Sequence, residues 1–190
     1  MMEPDPRFAP LLARIDQLLE EKSQILLAID GDCASGKSTL AAGLEQKYDG
    51  NVLPMDHFFL PPERRTAARL AEPGGNVDYE RFLVEVLTPL KSGQTFFYRP
   101  FDCRSGDYGD EVAISPRRLN IIEGSYSQHP ALVDAYHIKV FLTVPEGEQL
   151  RRIRARDGAE LAKRFKAEWI PMEKRYFAHF EIESQCDFVV

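Results

Sequence analysis

The sequence is poor in cysteine, tryptophan and positive charge, and it has no long apolar run. Its three cysteines among 190 residues, Cys33, Cys103 and Cys186, are an odd and scattered set. They form no disulfide framework and lack the spacing of metal ligands, as expected of a chain kept in a reducing cytoplasm. The longest aliphatic stretch, Ile25-Leu26-Leu27-Ala28-Ile29, falls far short of the ~20 residues that cross a bilayer. The opening Met-Met-Glu-Pro-Asp-Pro-Arg has no basic region ahead of an apolar one. Neither a leader peptide nor a membrane partner is therefore expected. Twenty-four basic against thirty acidic residues leave a formal net charge of −6, the wrong sign for gripping a nucleic-acid backbone. Repeats and low-complexity tracts are also absent. With 44% hydrophobic residues, twelve phenylalanines and seven tyrosines, the chain can build one buried core without staples. Its length suits a single domain over 1–190.

Asp5-Pro6 has the character of a helix cap followed by a proline in the first turn. Phe8, Leu11, Leu12, Ile15, Leu18 and Leu19 then recur at spacings of three and four, which predicts a core-packed helix within 1–23. Residues 24–30 read as a short strand whose apolar run, Ile25 to Ile29, is too continuous for a half-exposed one, as in strands buried inside parallel sheets. A helix over 37–48 and a strand over 51–55, ending at Asp56, follow. Residues 61–75 are rich in Pro, Arg and Ala and predict a mobile connection with a helical turn. Helical spacing returns over 80–90, and aromatics with two glycines over 95–115 predict a hairpin or an irregular excursion. Further strands are expected at 119–123, 139–144 and 187–190, and helices at 146–156 and 159–169. Trp169, Phe165, Tyr176, Phe177 and Phe180 are expected to build core around the C-terminal helix. Strands alternating with helices predict an α/β fold with a parallel sheet and right-handed crossovers.

Between the first strand and the second helix lies Gly31-Asp32-Cys33-Ala34-Ser35-Gly36-Lys37-Ser38. It fits G-x-x-x-x-G-K-[ST] without a mismatch, in the strand-to-helix context that gives the motif its meaning. Chance occurrence in a chain of this size is on the order of 1%. Glycine lets main-chain N–H groups turn inward around phosphate oxygens, and the helix N-terminus adds partial positive charge. The segment from Gly31 through Ala34, Ser35, Gly36, Lys37, Ser38 and Thr39 is accordingly assigned to a nucleoside triphosphate. Lys37 is expected on the β- and γ-phosphates and the Ser38 hydroxyl on Mg²⁺, with ATP and Mg²⁺ as cofactors. Cys33 occupies an unconstrained position of the motif, and no redox role is expected of it.

Three further features point to phosphoryl transfer onto a small molecule. Asp56 follows directly on a strand, where parallel sheets collect their ligands. A carboxylate there can take a proton from an attacking hydroxyl, or serve as a turn cap. Glu123 ends the apolar run Ile121-Ile122 in the place of an acidic residue near Mg²⁺. Arg151, Arg152, Arg154 and Arg156 fall within six residues, as in a lid over about 151–165 that closes on a transferring phosphoryl group. A regulatory module that binds ATP without transferring it is the alternative. His57 is open between a role beside Asp56 and a solvated position.

Together GDCASGKST, LPMDHFFLPPERR, NVDYERF, YRPFDC, IIEGSY and VFLTVPEGEQLRRIRARD resemble the uridine kinase-like branch of P-loop kinases, whose relatives include phosphoribulokinase and pantothenate kinase. The resemblance implies the P-loop NTPase fold. That is a parallel five-stranded sheet flanked by helices, with a lid and a substrate-covering hairpin over about 94–116. It makes Asp56 the base or orienting group for a 5′-hydroxyl and matches Asp78 to the carboxylate that holds ribose hydroxyls. Glu123 becomes the acidic residue beside Mg²⁺ and the acceptor, and Arg152 and Arg156 the lid arginines. The family's hairpin touches a pyrimidine through a tyrosine and a histidine. Here it reads Tyr98-Arg99-Pro100-Phe101-Asp102-Cys103-Arg104, without a histidine, so Tyr98, Phe101 and Arg104 are the candidate base contacts. The implied partner is a small molecule that receives the γ-phosphate on a primary hydroxyl. Uridine or cytidine leads, ahead of nicotinamide riboside, pantothenate or a sugar phosphate. A homo-oligomer is left open, and the implied location is the cytoplasm.

Overall fold

The computed structural model describes residues 5–190, so the first four residues of the expected 1–23 segment, and the reading of them as leaderless, lie outside the described ones. Asp5 caps a short turn by accepting from Arg7 N at 3.0 Å, and helix α1 (Ala9–Glu21) comes next, burying Leu11, Ile15 and Leu18. Then come β1 (Ile25–Gly31), α2 (Lys37–Tyr48), β2 (Asn51–Pro54) and α3 (Ala67–Ala71). Helix α4 (Tyr79–Phe82) runs through a wide π turn (Leu83–Leu87) into α5 (Thr88–Leu90). Four short strands succeed it: β3 (Phe96–Tyr98), β4 (Phe101–Asp102), β5 (Asp107–Tyr108) and β6 (Val112–Ile114). The chain closes with β7 (Leu119–Glu123), β8 (Ile138–Leu142), α6 (Glu146–Asp157), α7 (Ala159–Arg164), a second wide turn (Phe165–Trp169), α8 (Ile170–His179) and β9 (Phe188–Val189).

The main sheet has the order β2-β7-β1-β8-β9, and every neighbouring pair is parallel. β1 lies at its centre and is buried along its whole length, which is why its sequence shows no polar alternation. Side-chain direction still alternates along it. Ile25, Leu27 and Ile29 enter a core with Leu11, Ile15 and Leu18 of α1 and Ala41 and Leu44 of α2. Leu26 enters the opposite core with Phe58, Phe82, Tyr126 and Tyr176. Burying each such side chain contributes roughly 1.5–3 kcal/mol, so both layers hold β1 and the loop that leaves it in place.

The excursion between β2 and β7 is a nested antiparallel hairpin. β3 pairs with β6 and, further out, β4 with β5. It spans 96–114, slightly inside the expected bounds. Residues 61–75 hold the expected helical turn, as α3. Arg69 ties the end of that segment to the start of α4, donating to Gly75 O (3.0 Å), Val77 O (3.1 Å), Tyr79 Oη (2.9 Å) and both Glu80 oxygens (2.7 Å). The C-terminal helix departs from its expected end at 169, continuing to His179 through the wide turn. An extra residue in a turn shifts the helical phase. Trp169 therefore lies half-buried against Phe165, edge to face at 4.4 Å, while Tyr176 alone of the five aromatics is fully buried. Phe177 and Phe180 pack on the core from the side.

Candidate active site

The phosphate loop leaves the C-terminal end of β1 and enters α2. Gly31 has φ +126°, and a Cβ there would stand 2.1 Å from the carbonyl oxygen of Leu142 on β8, so no side chain fits. Gly36 precedes the helix at φ +108° with open space around it. Its requirement is conformational, since L-residues avoid that region. Lys37 is buried and arches back, its Nζ 2.7 Å from the carbonyl oxygens of Gly31 and of Asp32. The Ser35 hydroxyl is buried without a hydrogen-bond partner in the fold. An orphaned donor beside an ammonium and a helix N-terminus is the chemistry a phosphate group satisfies, so the loop fits a nucleotide. Thr39 is exposed on the first turn of α2. The Cys33 thiol is buried, and burial pushes it up to about 12, which removes any thiolate chemistry at neutral pH.

Asp30, which no motif marks, fastens the root of the loop. It is fully buried and accepts from Gly31 N (2.8 Å), Tyr126 N (3.2 Å), Gln128 N (3.0 Å) and the Tyr176 hydroxyl (3.0 Å). Burial raises its pKa, and the Gln128 and Gly31 amides, the Lys37 charge and the Tyr176 hydroxyl oppose the rise. The turn after β7 is thereby tied to the end of β1.

That turn begins beside Glu123, whose two oxygens both lie 3.2 Å from the Ser38 hydroxyl. Burial raises the Glu123 pKa and the charge of Asp56 raises it further, while Lys37 and the Ser38 hydrogen bond oppose. Among the described residues no cluster of three or more His, Cys, Asp or Glu could cage a metal. Mg²⁺ needs no such cage, because it keeps several waters and takes one or two protein oxygens alongside phosphates. Ser38 and Glu123 supply that donor set.

Asp56 stands opposite, in the short turn Met55–Phe58 that comes after β2. It is no turn cap: its carboxylate makes no hydrogen bond to any described residue. The side chain is open to solvent yet deep among protein atoms, the signature of a cleft floor. Burial raises its pKa, and the charges of Lys37, His57 and Arg156 oppose the rise. His57 Nδ1 lies 2.9 Å from the hydroxyl of Tyr98, a buried ring on β3. Burial lowers the His57 pKa and pushes Tyr98 up to about 12. The sequence left His57 undecided, and nothing in the chain order near Asp56 announces its pairing with a residue 41 positions away.

The remaining candidates divide. Arg152 Nη1 donates to the loop carbonyl of Ala34 at 3.0 Å while its Nε holds Glu148. Arg156 pairs with Asp157 at 2.8 Å, and its charge acts on both Cys33 and Asp56. From α6, then, Arg152 touches the loop and Arg156 acts on it through its charge. Asp78 is buried, with one oxygen accepting from Arg81 N at 3.1 Å as the cap of α4 and the other paired with Arg64. Phe101 is buried against Tyr108, edge to face at 5.5 Å, so its ring is not presented to solvent. Arg104 lies in the exposed turn between β4 and β5, its amide held by Asp102 at 2.8 Å.

No family model matches the chain. A Schizosaccharomyces pombe protein provisionally named a uridine kinase is 30% identical over 167 residues, covering 75% of this chain and 70% of that one. The chain belongs to the uridine kinase-like P-loop kinases. A uridine kinase of Latilactobacillus sakei is 27% identical over 147 residues, covering 73% and 69%. Two solved structures share this kinase's fold over 95% of the chain and 98% of their own. A Bacillus stearothermophilus protein described as a possible uridine kinase has TM-score 0.69 at 21% identity. A Silicibacter protein provisionally described as a fructose transport system kinase has TM-score 0.70 at 23% identity. The D-glycerate 3-kinase of Cryptococcus neoformans, at TM-score 0.60, 14% identity and coverage of 85% and 84%, has the same architecture. The chain is therefore a small-molecule kinase. Among the described residues no helix is long and apolar enough to cross a membrane.

Proposed function

We propose that this kinase transfers the γ-phosphate of Mg-ATP to the primary hydroxyl of a nucleoside, with uridine and cytidine the leading acceptors. The observation that carries the reading is the placing of Asp56. It is an accessible carboxylate, without a hydrogen-bond partner among the described residues, whose charge couples to Lys37 and Glu123. Two curated relatives named for uridine phosphorylation support the acceptor class. Bound Mg-ATP supplies the transferable group and the metal's charge. The chain's own residues position and stabilise. The amides of the loop and Lys37 hold the phosphate tail, and Ser38 and Glu123 supply the oxygen donors that suit Mg²⁺. Asp56 accepts the proton of the acceptor hydroxyl and aims its oxygen at the phosphorus. Arg152 and Arg156 neutralise charge from the α6 side. His57 and Tyr98 form the wall next to Asp56 and orient the acceptor.

A sugar or polyol acceptor is the second reading, and Asp78 is what favours it. With one oxygen on a helix cap and the other on Arg64, that carboxylate is committed within the fold and is not free for a ribose diol. The test is incubation with Mg-ATP and a panel of uridine, cytidine, nicotinamide riboside, pantothenate and sugar phosphates, with Lys37→Ala as control. A nucleoside 5′-monophosphate made by the wild type and not by the control is expected. Product from a non-nucleoside acceptor alone overturns the nucleoside assignment, and tight ATP binding with no product from any acceptor overturns the kinase reading in favour of a regulatory module.

A further inference from the structure

We propose that Gln149 and Glu173 are positioning residues of the phosphate loop, a two-sided clamp on the main chain of Cys33 that sets the affinity for nucleotide. The proposal rests on reading the loop as an ATP site and does not depend on the acceptor. Position 33 is one the motif leaves free, yet both of its polar main-chain groups are taken by side chains from far along the chain. Cys33 N–H donates to Glu173 Oε2 on α8 at 3.2 Å. Cys33 O accepts from Gln149 Nε2 on α6 at 3.1 Å, and the same amide reaches Cys33 Sγ at 3.4 Å. Both side chains are buried, Gln149 at 2% exposure and Glu173 at 6%. Burying groups of this kind costs free energy unless they are paired, and here the pairing is with the loop. Glu173 is held in turn by the Ser125 hydroxyl at 2.6 Å, which also lies 3.4 Å from Gly31 O. The clamp therefore closes back onto the first residue of the loop.

What it holds is the approach to a strained residue. Ala34 comes next with φ +60°, a left-handed conformation that costs an L-residue roughly 1–2 kcal/mol. The turn around it closes with the Ser35 N–H on the Asp32 carbonyl at 3.2 Å. Two fixed peptide planes before Ala34, and Arg152 on its carbonyl, prevent relaxation into an ordinary turn. The electrostatics sharpen the argument. Glu173 faces Lys37, but also Asp30, Cys33 and Tyr126. A carboxylate at this place opposes a bound triphosphate, so its favourable contribution is geometric.

The charge and the geometry separate by mutation. Gln149→Leu and Glu173→Leu each delete a buried hydrogen bond and should weaken equilibrium binding of a fluorescent ATP analogue about tenfold, with the KM for the acceptor unchanged. Glu173→Gln keeps an oxygen for the Cys33 amide and sheds the charge, so it should recover most of that affinity. Melting temperatures with and without Mg-ATP make the second readout: the rise that nucleotide produces should shrink in both leucine variants. Wild-type affinity in the folded leucine variants overturns the proposal, as does an equal loss for nucleotide and acceptor. Should those variants fail to fold, Gln149→Glu sets an acceptor against the Cys33 carbonyl. Unchanged nucleotide binding there would overturn the clamp equally. Because binding is measured without acceptor, a failed acceptor panel leaves this result standing.

Discussion

The two ends of the crevice are built from different materials. At the proposed donor end a run of main-chain amides, with Lys37 and Ser38 beside it, is backed by buried side chains with fixed partners: Asp30 on three amides and a tyrosine, Gln149 and Glu173 on Cys33. At the acceptor end the groups are side chains on a short turn and a hairpin. Asp56 has no hydrogen-bond partner among the described residues, His57 leans on Tyr98, and Arg64, nearly half exposed, occupies Asp78. A main-chain site is specified by where glycine is allowed, so it is written as a motif of fixed spacing. A side-chain site is specified by which residues a fold brings together, and its members carry no common spacing. The first kind is general for triphosphates; the second is where one acceptor is told from another.

The largest expected effect breaks the two ends apart at Asp56. Asp56→Asn should lower transfer on the order of 10³-fold, within the range for a lost general base, while nucleotide affinity stays within about threefold. The pH profile gives the sign. Burial raises the Asp56 pKa, so its basic form is lost on acidification earlier than for an ordinary carboxylate near ~3.9, and the acid limb of kcat/KM should lie above that value. The same shift means the folded chain disfavours the ionised form. Stability associated with this group is full below the unfolded-state pKa and is lost as pH rises through the folded one. Asp56→Asn should consequently raise the melting temperature of the nucleotide-free protein at neutral pH, and an unchanged or lower value would contradict the cleft-floor electrostatics. A smaller effect is expected at Asp78. Asp78→Ala removes the cap of α4 and should cost about 1 kcal/mol in urea unfolding, whereas Asp78→Asn keeps a good cap. If both substitutions raise the acceptor KM equally with no loss of stability from Ala, Asp78 is a substrate ligand and not a cap. The smallest is Tyr98→Phe, which deletes one hydrogen bond to His57. It should move the acceptor KM by a few-fold, in keeping with about 1 kcal/mol, and leave the nucleotide KM alone.

The same contrast explains what could be read from residues alone. The three central strands were legible because β1, β7 and β8 are almost wholly buried and are mostly apolar, with one interior polar residue each in β7 (Asn120) and β8 (Lys139). The loop, Ser38, Glu123 and the post-strand place of Asp56 were legible because position along the sheet dictates them. Helix phase was less so: the wide turn at Phe165–Trp169 adds a residue that periodicity does not register, and Trp169 was misplaced in the core as a result. The role of Arg69 was not legible, since a single guanidinium with five bonds looks in sequence like any loop arginine. Asp30, Gln149 and Glu173 gave no signal. The nearest to one is a lone acid closing an apolar strand, and Gln149 and Glu173 meet the loop only after the chain has crossed the sheet and returned.

The contact between Gly31 and the Leu142 carbonyl has a consequence for anyone reshaping this protein. The first letter of its nucleotide signature answers to strand spacing, whatever a ligand asks of it. A library randomised at position 31 and selected only for staying folded, with no nucleotide in the medium, would return glycine all the same.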